Sequence, residues 1–224
     1  MREIILDTET TGLDPASGHR VVEIGCVELF NHLPTGERWQ WYLNPDRDIP
    51  PEAFAVHGLS AEFLSGQPRF ADIVEAFLEA IGDSMLVIHN ADFDMKFLNA
   101  ELTRSGRSVL PRERAIDTVM LARRRFPGSP ASLDALCRRF GIDNANRTLH
   151  GALLDSQLLA EVYLELLGGR EPGLALAATT AQARGPAAAT REPRPPRPHA
   201  PTEEELAAHQ VFVAKLKTPM WLVE

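Results

Sequence analysis

Cysteine is nearly missing: 224 residues carry two, Cys26 and Cys137. They lie far apart without CxxC spacing, which argues against a disulfide framework or a zinc site and fits a reducing cytoplasm. Long apolar runs are missing as well. None approaches the ~20 residues that a membrane-crossing helix requires, so no membrane partner is expected. The chain opens Met1-Arg2-Glu3-Ile4-Ile5-Leu6-Asp7 and enters a strand pattern at once, so a secretory leader is not expected either. A basic surplus is also absent. The formal net charge is −8, which argues against a general nucleic-acid binder with a broad basic footprint.

What remains is an ordinary globular composition, 44% hydrophobic and 24% charged, long enough for one domain and a tail. Residues 1–167 hold 16 Lys+Arg against 25 Asp+Glu, a net −9, while 168–224 hold 7 against 6. Two divalent cations held by four of those carboxylates would bring the domain to −5, a balance that suits weak binding at a chain end. After Gly169 the composition changes: residues 170–202 contain 7 of the 17 prolines and no aromatic. That stretch reads as a flexible linker. Thr202-Glu203-Glu204-Glu205 then has the form of a capping box, opening a helix with Leu206, Val213 and Leu216 before Thr218-Pro219. The apolar ending Met220-Trp221-Leu222-Val223 reads as a docking peptide.

Within the domain, short apolar runs over 3–7, 20–30, 37–43 and 85–88 read as strands, with 114–118 as a fifth. A turn is expected at Pro34–Gly36, and Pro45–Pro51 reads as a loop. Phe70, Ile73, Val74, Phe77, Leu78 and Ile81 recur at helical intervals, and further helices are expected over 94–102, 132–140 and 152–167. Ser132 is the expected cap of one and Gly141 its stop. Three successive strands followed by alternating helices and strands imply a mixed sheet covered by helices.

Asp7 and Glu9 stand two apart at a strand end, so their side chains share a face. Paired carboxylates repel unless a cation neutralises them, and oxygen ligands suit Mg²⁺ or Mn²⁺. The bland reading is a solvated strand end with Thr8 inward. Asp92 and Asp94 follow the fourth strand, about 200° apart on a helix, so only one of them can face a shared centre. Asp155 sits among Leu153, Leu154, Leu158 and Leu159, where an unpaired carboxylate would be costly. His150 stands about 140° from Asp155 on an ideal helix, so a shared site requires His150 on the preceding loop, with freedom supplied by Gly151. His19, His32, His199 and His209 lack such context and read as surface residues.

In order along the chain, Asp7-Thr8-Glu9-Thr10-Thr11-Gly12, His89-Asn90-x-x-Phe93-Asp94 and His150-Gly151-Ala152-x-x-Asp155 resemble the three motifs of the DEDDh exonuclease superfamily. The resemblance is closest to the proofreading epsilon subunits of bacterial DNA polymerase III. It covers about residues 1–168 and includes Pro51-Glu52-Ala53-Phe54-x-Val56-His57-Gly58, Ser132–Cys137 and Arg147-Thr148-Leu149-His150.

The resemblance implies an α/β, ribonuclease-H-like fold: a five-stranded mixed sheet of order 3-2-1-4-5, flanked by helices, with the second strand antiparallel to the rest. It selects Asp94 over Asp92. It implies that Asp7, Glu9 and Asp155 contact two divalent cations, Mg²⁺ or Mn²⁺, with Asp94 helping through water, and that His150 is the general base. An imidazole, with an ordinary pKa of ~6.5, suits that task at physiological pH. Thr10, Thr11 and Gly12 would offer donors to the terminal nucleotide and Glu52 would accept from its 3' hydroxyl. Val56, His57 and Phe93 would pack its base and sugar, although Val56 and Phe93 read equally well as core. The substrate would be a frayed or single-stranded 3' end of DNA, released as 5'-monophosphates.

The implied organisation is an exonuclease domain over 1–168, a linker over 169–202, and a segment over 203–224 that docks on the polymerase alpha subunit. Relatives carry a sliding-clamp motif just after Gly168-Gly169. Here Arg170–Leu176 lacks its glutamine and its aromatic, which weakens the implication of a clamp partner. Two other readings share much of this pattern: a stand-alone RNA-trimming exonuclease of the same superfamily, and a non-catalytic assembly module.

Overall fold

The computed structural model describes residues 1–145, 147, 149–169 and 200–215. The chain divides into two units, residues 1–174 and 175–224.

The first unit is built on a five-stranded sheet of order β3-β2-β1-β4-β5. Its strands are β1 (Arg2–Thr10), β2 (Val21–Phe30), β3 (Leu33–Tyr42), β4 (Met85–Ile88) and β5 (Ala115–Asp117). β2 runs antiparallel to β1 and β3, while β1, β4 and β5 are parallel. The sheet order and the orientation of the second strand are those implied by the resemblance.

Period-two alternation sends β1 side chains to two separate cores. Ile4 and Leu6 join Phe70, Phe77, Phe97 and Leu98 on one face. Ile5 joins Leu136, Leu159, Val162 and Tyr163 on the other. The first face is covered by α3 (Phe70–Ile81) and α4 (Ala91–Arg104), the second by α5 (Thr118–Arg125), α6 (Leu133–Phe140) and α7 (Ala152–Leu167). Arg20 clasps the buried Glu101 of α4 through Nε and Nη2 at 2.6 and 2.8 Å, fixing the turn that follows β1.

The structure corrects two local expectations. The hairpin between β2 and β3 turns at Asn31 and His32, not at Pro34–Gly36. Both residues have positive φ, 50° and 67°, the geometry of a two-residue loop between the paired Phe30 and Leu33. Pro34–Gly36 lie instead inside β3, beside a register shift between Val27 and Leu29. Pro51 does not close a loop but opens α1 (Pro51–His57), where its missing N–H costs nothing. α1 is followed by α2 (Ala61–Ser65), capped by Ser60.

Ser132 and Gly141 bound α6 as expected. In the second unit, α8 (Glu203–Val213) opens on the expected capping box: Thr202 accepts from the Glu205 amide, and the Glu205 side chain accepts from Thr202. The expectations for Leu216, Thr218-Pro219 and the apolar ending lie outside the described residues, as do His199 and the stretch 170–176. No helix among the described residues is long and apolar enough to cross a membrane.

Candidate active site

The strand ends of β1 and β4 and the start of α7 converge on one cleft. Asp7 and Glu9 stand opposite Gly25 and Glu23 of β2. Glu9 is 7% exposed, so the solvated strand end of the bland reading is not what folds. Asp94 projects from the first turn of α4, 3% exposed, and its Oδ1 accepts from Thr8 Oγ1 at 2.7 Å. Asp92 instead faces solvent and pairs with Arg112 at 2.5 Å. The chain arrives at α4 through Asn90, which holds a left-handed conformation.

Two features of β2 seat α7. A Cβ on Gly25 would lie 2.2 Å from the Ala152 carbonyl carbon and 2.3 Å from the Leu153 nitrogen, so the first turn of α7 rests directly on the strand backbone. Ser156 Oγ donates to the Gly25 carbonyl at 3.0 Å. Glu23, 2% exposed, accepts from the amides of Ala152 and Leu153 and from Gln40 Nε2. It thus caps a helix whose N-cap residue, Gly151, has no capping side chain. Gly151 itself is extended (φ −151°), a conformation open to any residue, so its freedom is not what places the histidine.

His150 lies just before the helix, on a loop tied to α1 through His150 N–H to the Val56 carbonyl at 3.0 Å. Its Nδ1 is 3.6 Å from Asp155 Oδ2. Ligand atoms of Glu9, His150 and Asp155 all lie within 4.8 Å of one another.

Electrostatically the cleft is over-charged. Burial, then repulsion from Asp94, Glu9, Asp155 and Glu23, raises Asp7 well above the usual carboxylate range. Burial followed by Asp155, Glu23 and Asp94 raises Glu9 to about 8, while Arg147 lowers it. Asp94 is raised to about 7, mainly by burial, against the Thr8 hydrogen bond. Asp155 is held differently. Arg147 grips it with Nε to Oδ1 at 2.6 Å and Nη2 to Oδ2 at 2.7 Å.

Arg147 is the functional-site residue that sequence reasoning missed, although it stands inside the quoted motif. Glu23 is a second. Four acidic groups against one guanidinium, all offering hard oxygen donors, form a donor set that fits divalent cations.

Two cavities adjoin at this cleft. One, of about 460 Å³, is lined by Asp7, Glu9, His89, Asp94, Asp134, Arg147, His150 and Asp155. The other, of about 560 Å³ and mostly apolar, brings together Thr10, Thr11, Gly12, Glu52, Val56, His57 and Phe93. Thr8, Glu9, Leu13 and Phe93 line both.

In the apolar cavity Thr10 Oγ1 donates to the Gly12 carbonyl at 2.6 Å. Thr11 Oγ1 accepts from the Arg20 amide and lies 3.1 Å from His19 Nδ1. These hydroxyls therefore shape the turn. His19 lines the cavity too, and is not the plain surface residue expected. His32 likewise sits 2.7 Å from the buried Glu3, whereas His209 is exposed. His57 is 5% exposed and accepts the Leu59 amide at Nδ1. That fixes the proton on Nε2, a buried donor without a partner among the described residues. Burial lowers the His57 pKa, favouring the neutral ring. Phe93 is partly buried against Phe97, and Val56 is 44% exposed.

With this geometry in hand, the class of the protein is defined. Residues 4–163 match the family described as Exonuclease, and the chain belongs to that family. Its relatives narrow the reading. It is 49% identical over 224 residues to "DNA polymerase III subunit epsilon" of Rickettsia felis, covering 96% of this chain and 97% of the relative. To the protein of the same name from Salmonella typhimurium it is 46% identical over 220 residues, covering 93% and 90%. Among solved structures it resembles "Exonuclease X in complex with 5' overhanging duplex DNA", with a TM-score of 0.58, 27% identity, and coverage of 74% of this chain and 90% of that one. The chain is an exonuclease, and its site is built for divalent metal ions.

Proposed function

We propose that this exonuclease is the proofreading subunit of a replicative DNA polymerase, removing mispaired 3'-terminal nucleotides as 5'-monophosphates. The observation that carries this reading is the junction of the two cavities, one charged and one apolar, across Glu9 and Phe93. A terminal nucleotide in the apolar cavity would present its phosphodiester to the carboxylates. Apolar packing by Val56 and Phe93 reads no base edge, which suits an enzyme that must remove any base. Selection then rests on fraying, because a mispaired end unstacks at lower cost.

Asp7, Glu9, Asp94 and Asp155 would hold two divalent cations, Mg²⁺ or Mn²⁺. When bound, such ions neutralise charge on the phosphodiester and on the departing oxygen. The chain's own residues do the rest. His150, at the rim of the acidic cavity, would accept a proton from the attacking water at an imidazole nitrogen. The water oxygen forms a bond to phosphorus as the bond to the 3' oxygen breaks. Thr10, Thr11 and Gly12 form the turn against which the nucleotide would rest. Glu52 and the His57 Nε2–H would meet its sugar.

The division into a nuclease domain (1–168), a linker (169–202) and a polymerase-docking segment (203–224) is part of the same proposal. The capped helix α8 supports it. Both cysteines are free and buried, which fits a cytoplasmic setting.

The deciding measurement is degradation of matched DNA, 3'-mismatched DNA and RNA primers with and without Mg²⁺. Proofreading requires metal-dependent removal of the mismatched DNA end ahead of the matched one. A strong preference for RNA would sink the proposal.

A further inference from the structure

Asp155 is unlike the other acidic groups of the cleft because both its oxygens are already engaged. Arg147 holds them at 2.6 and 2.7 Å, in the two-pronged geometry that makes arginine–carboxylate pairs strong. The side chains are 8% and 5% exposed, so the pair is withdrawn from water. The same Nη2 lies 3.0 Å from His150 Nδ1. Meanwhile Nη1 donates to Asp134 Oδ1 at 2.9 Å, and Asp134 is 47% exposed. One guanidinium thus bridges a metal-site carboxylate, the histidine of the reaction and a second carboxylate at the cleft edge.

From this bridge we infer that Arg147 competes with a divalent cation for the two oxygens of Asp155, so that a cation must displace the guanidinium to bind there. Without a cation, Asp155 would be a buried, unpaired charge, and Arg147 removes that cost. With a cation present, two positive groups would compete for the same two oxygens. Asp134 gives the guanidinium somewhere to go, since it already holds Nη1. The displacement also releases His150 from Nη2, leaving its imidazole free for proton transfer once the metal site is filled. Arg147 is therefore a positioning residue that links metal occupancy to the freedom of the base. The inference rests on the divalent-cation reading of the cleft.

The test is calorimetric titration of Mn²⁺ into the full chain without nucleic acid, for the wild type, Arg147→Gln and Arg147→Lys, with thermal melts in EDTA alongside. Arg147→Gln is expected to bind Mn²⁺ about tenfold more tightly while melting lower in EDTA, the deficit closing as Mn²⁺ saturates. Arg147→Lys keeps the charge but cannot grip both oxygens, so it should bind with intermediate affinity, still tighter than the wild type. That variant separates competition for Asp155 from the general effect of removing a positive charge. Unchanged or weaker Mn²⁺ binding in Arg147→Lys would overturn the inference, and weaker binding is what a purely structural role for Arg147 would give. Should Arg147→Gln fold only with Mn²⁺ present, that result supports the inference. Failure of the wild type itself to bind Mn²⁺ would overturn the cation reading together with it.

Discussion

The two cavities at the cleft share four lining residues and little else. One concentrates acidic groups whose mutual repulsion is balanced by a single guanidinium; the other is walled by apolar atoms around one buried imidazole donor. Under the proposed function, charge density at one end and its scarcity at the other would divide the work between chemistry and recognition. Reaction at a phosphodiester needs fixed charge, which is costly to fold. Holding any nucleotide needs shape without a base-reading hydrogen bond, and that costs little.

The sharpest break would come from Asp7→Ala, which should lower exonuclease turnover by about a thousandfold or more and weaken metal binding, read by primer degradation and Mn²⁺ titration. Next, His150→Ala should cut turnover about a hundredfold to a thousandfold yet keep the metal site, splitting the charged cavity into its two tasks. On the apolar side, Phe93→Ala should raise KM about tenfold with kcat nearly kept, as steady-state kinetics on a single-stranded primer would reveal.

A pH comparison tests the over-charged cavity directly. Glu9 is raised to about 8 and Asp94 to about 7, so the folded protein holds protons that the unfolded chain releases at lower pH. Stability from those protons is complete below the unfolded values and is lost as pH rises through the folded ones. In EDTA the melting temperature should therefore fall by about 5 °C between pH 5.5 and 8, and saturating divalent metal should abolish that fall. Smallest of all, removing residues 203–224 should leave kcat/KM within about twofold while abolishing polymerase capture in a pull-down.

Much of this was legible in the chain itself. The strands β1 and β4 and the helices α3 and α7 follow from short apolar runs and helical spacing, and the family motifs fall at their ends. Why Asp94 and not Asp92 faces the cleft could not be read from helix phase alone, since the choice depends on Thr8 reaching across from β1. The helices α1 and α2 escaped because they are seven and five residues long, too short for periodicity to speak, and Pro50 and Pro51 at the start of α1 read as loop residues. Arg147 stands inside a quoted motif, but its role was not legible, because a loop arginine has no period and its carboxylate partners lie 8 and 13 residues away. Glu23 was hidden by its place in an apolar strand, where only the arrival of α7 gives it a task.

Gly25 carries a consequence for heredity. The span between the acids on β1 and the acid on α7 is set by a hydrogen atom where another residue would place a carbon 2.2 Å from the helix backbone. Gly25→Ala would wedge α7 outward and spread a site that tolerates little displacement. Under the proposed proofreading role, a cell carrying that allele would still copy its genome. Its descendants would accumulate the errors that one added methyl group had left uncorrected.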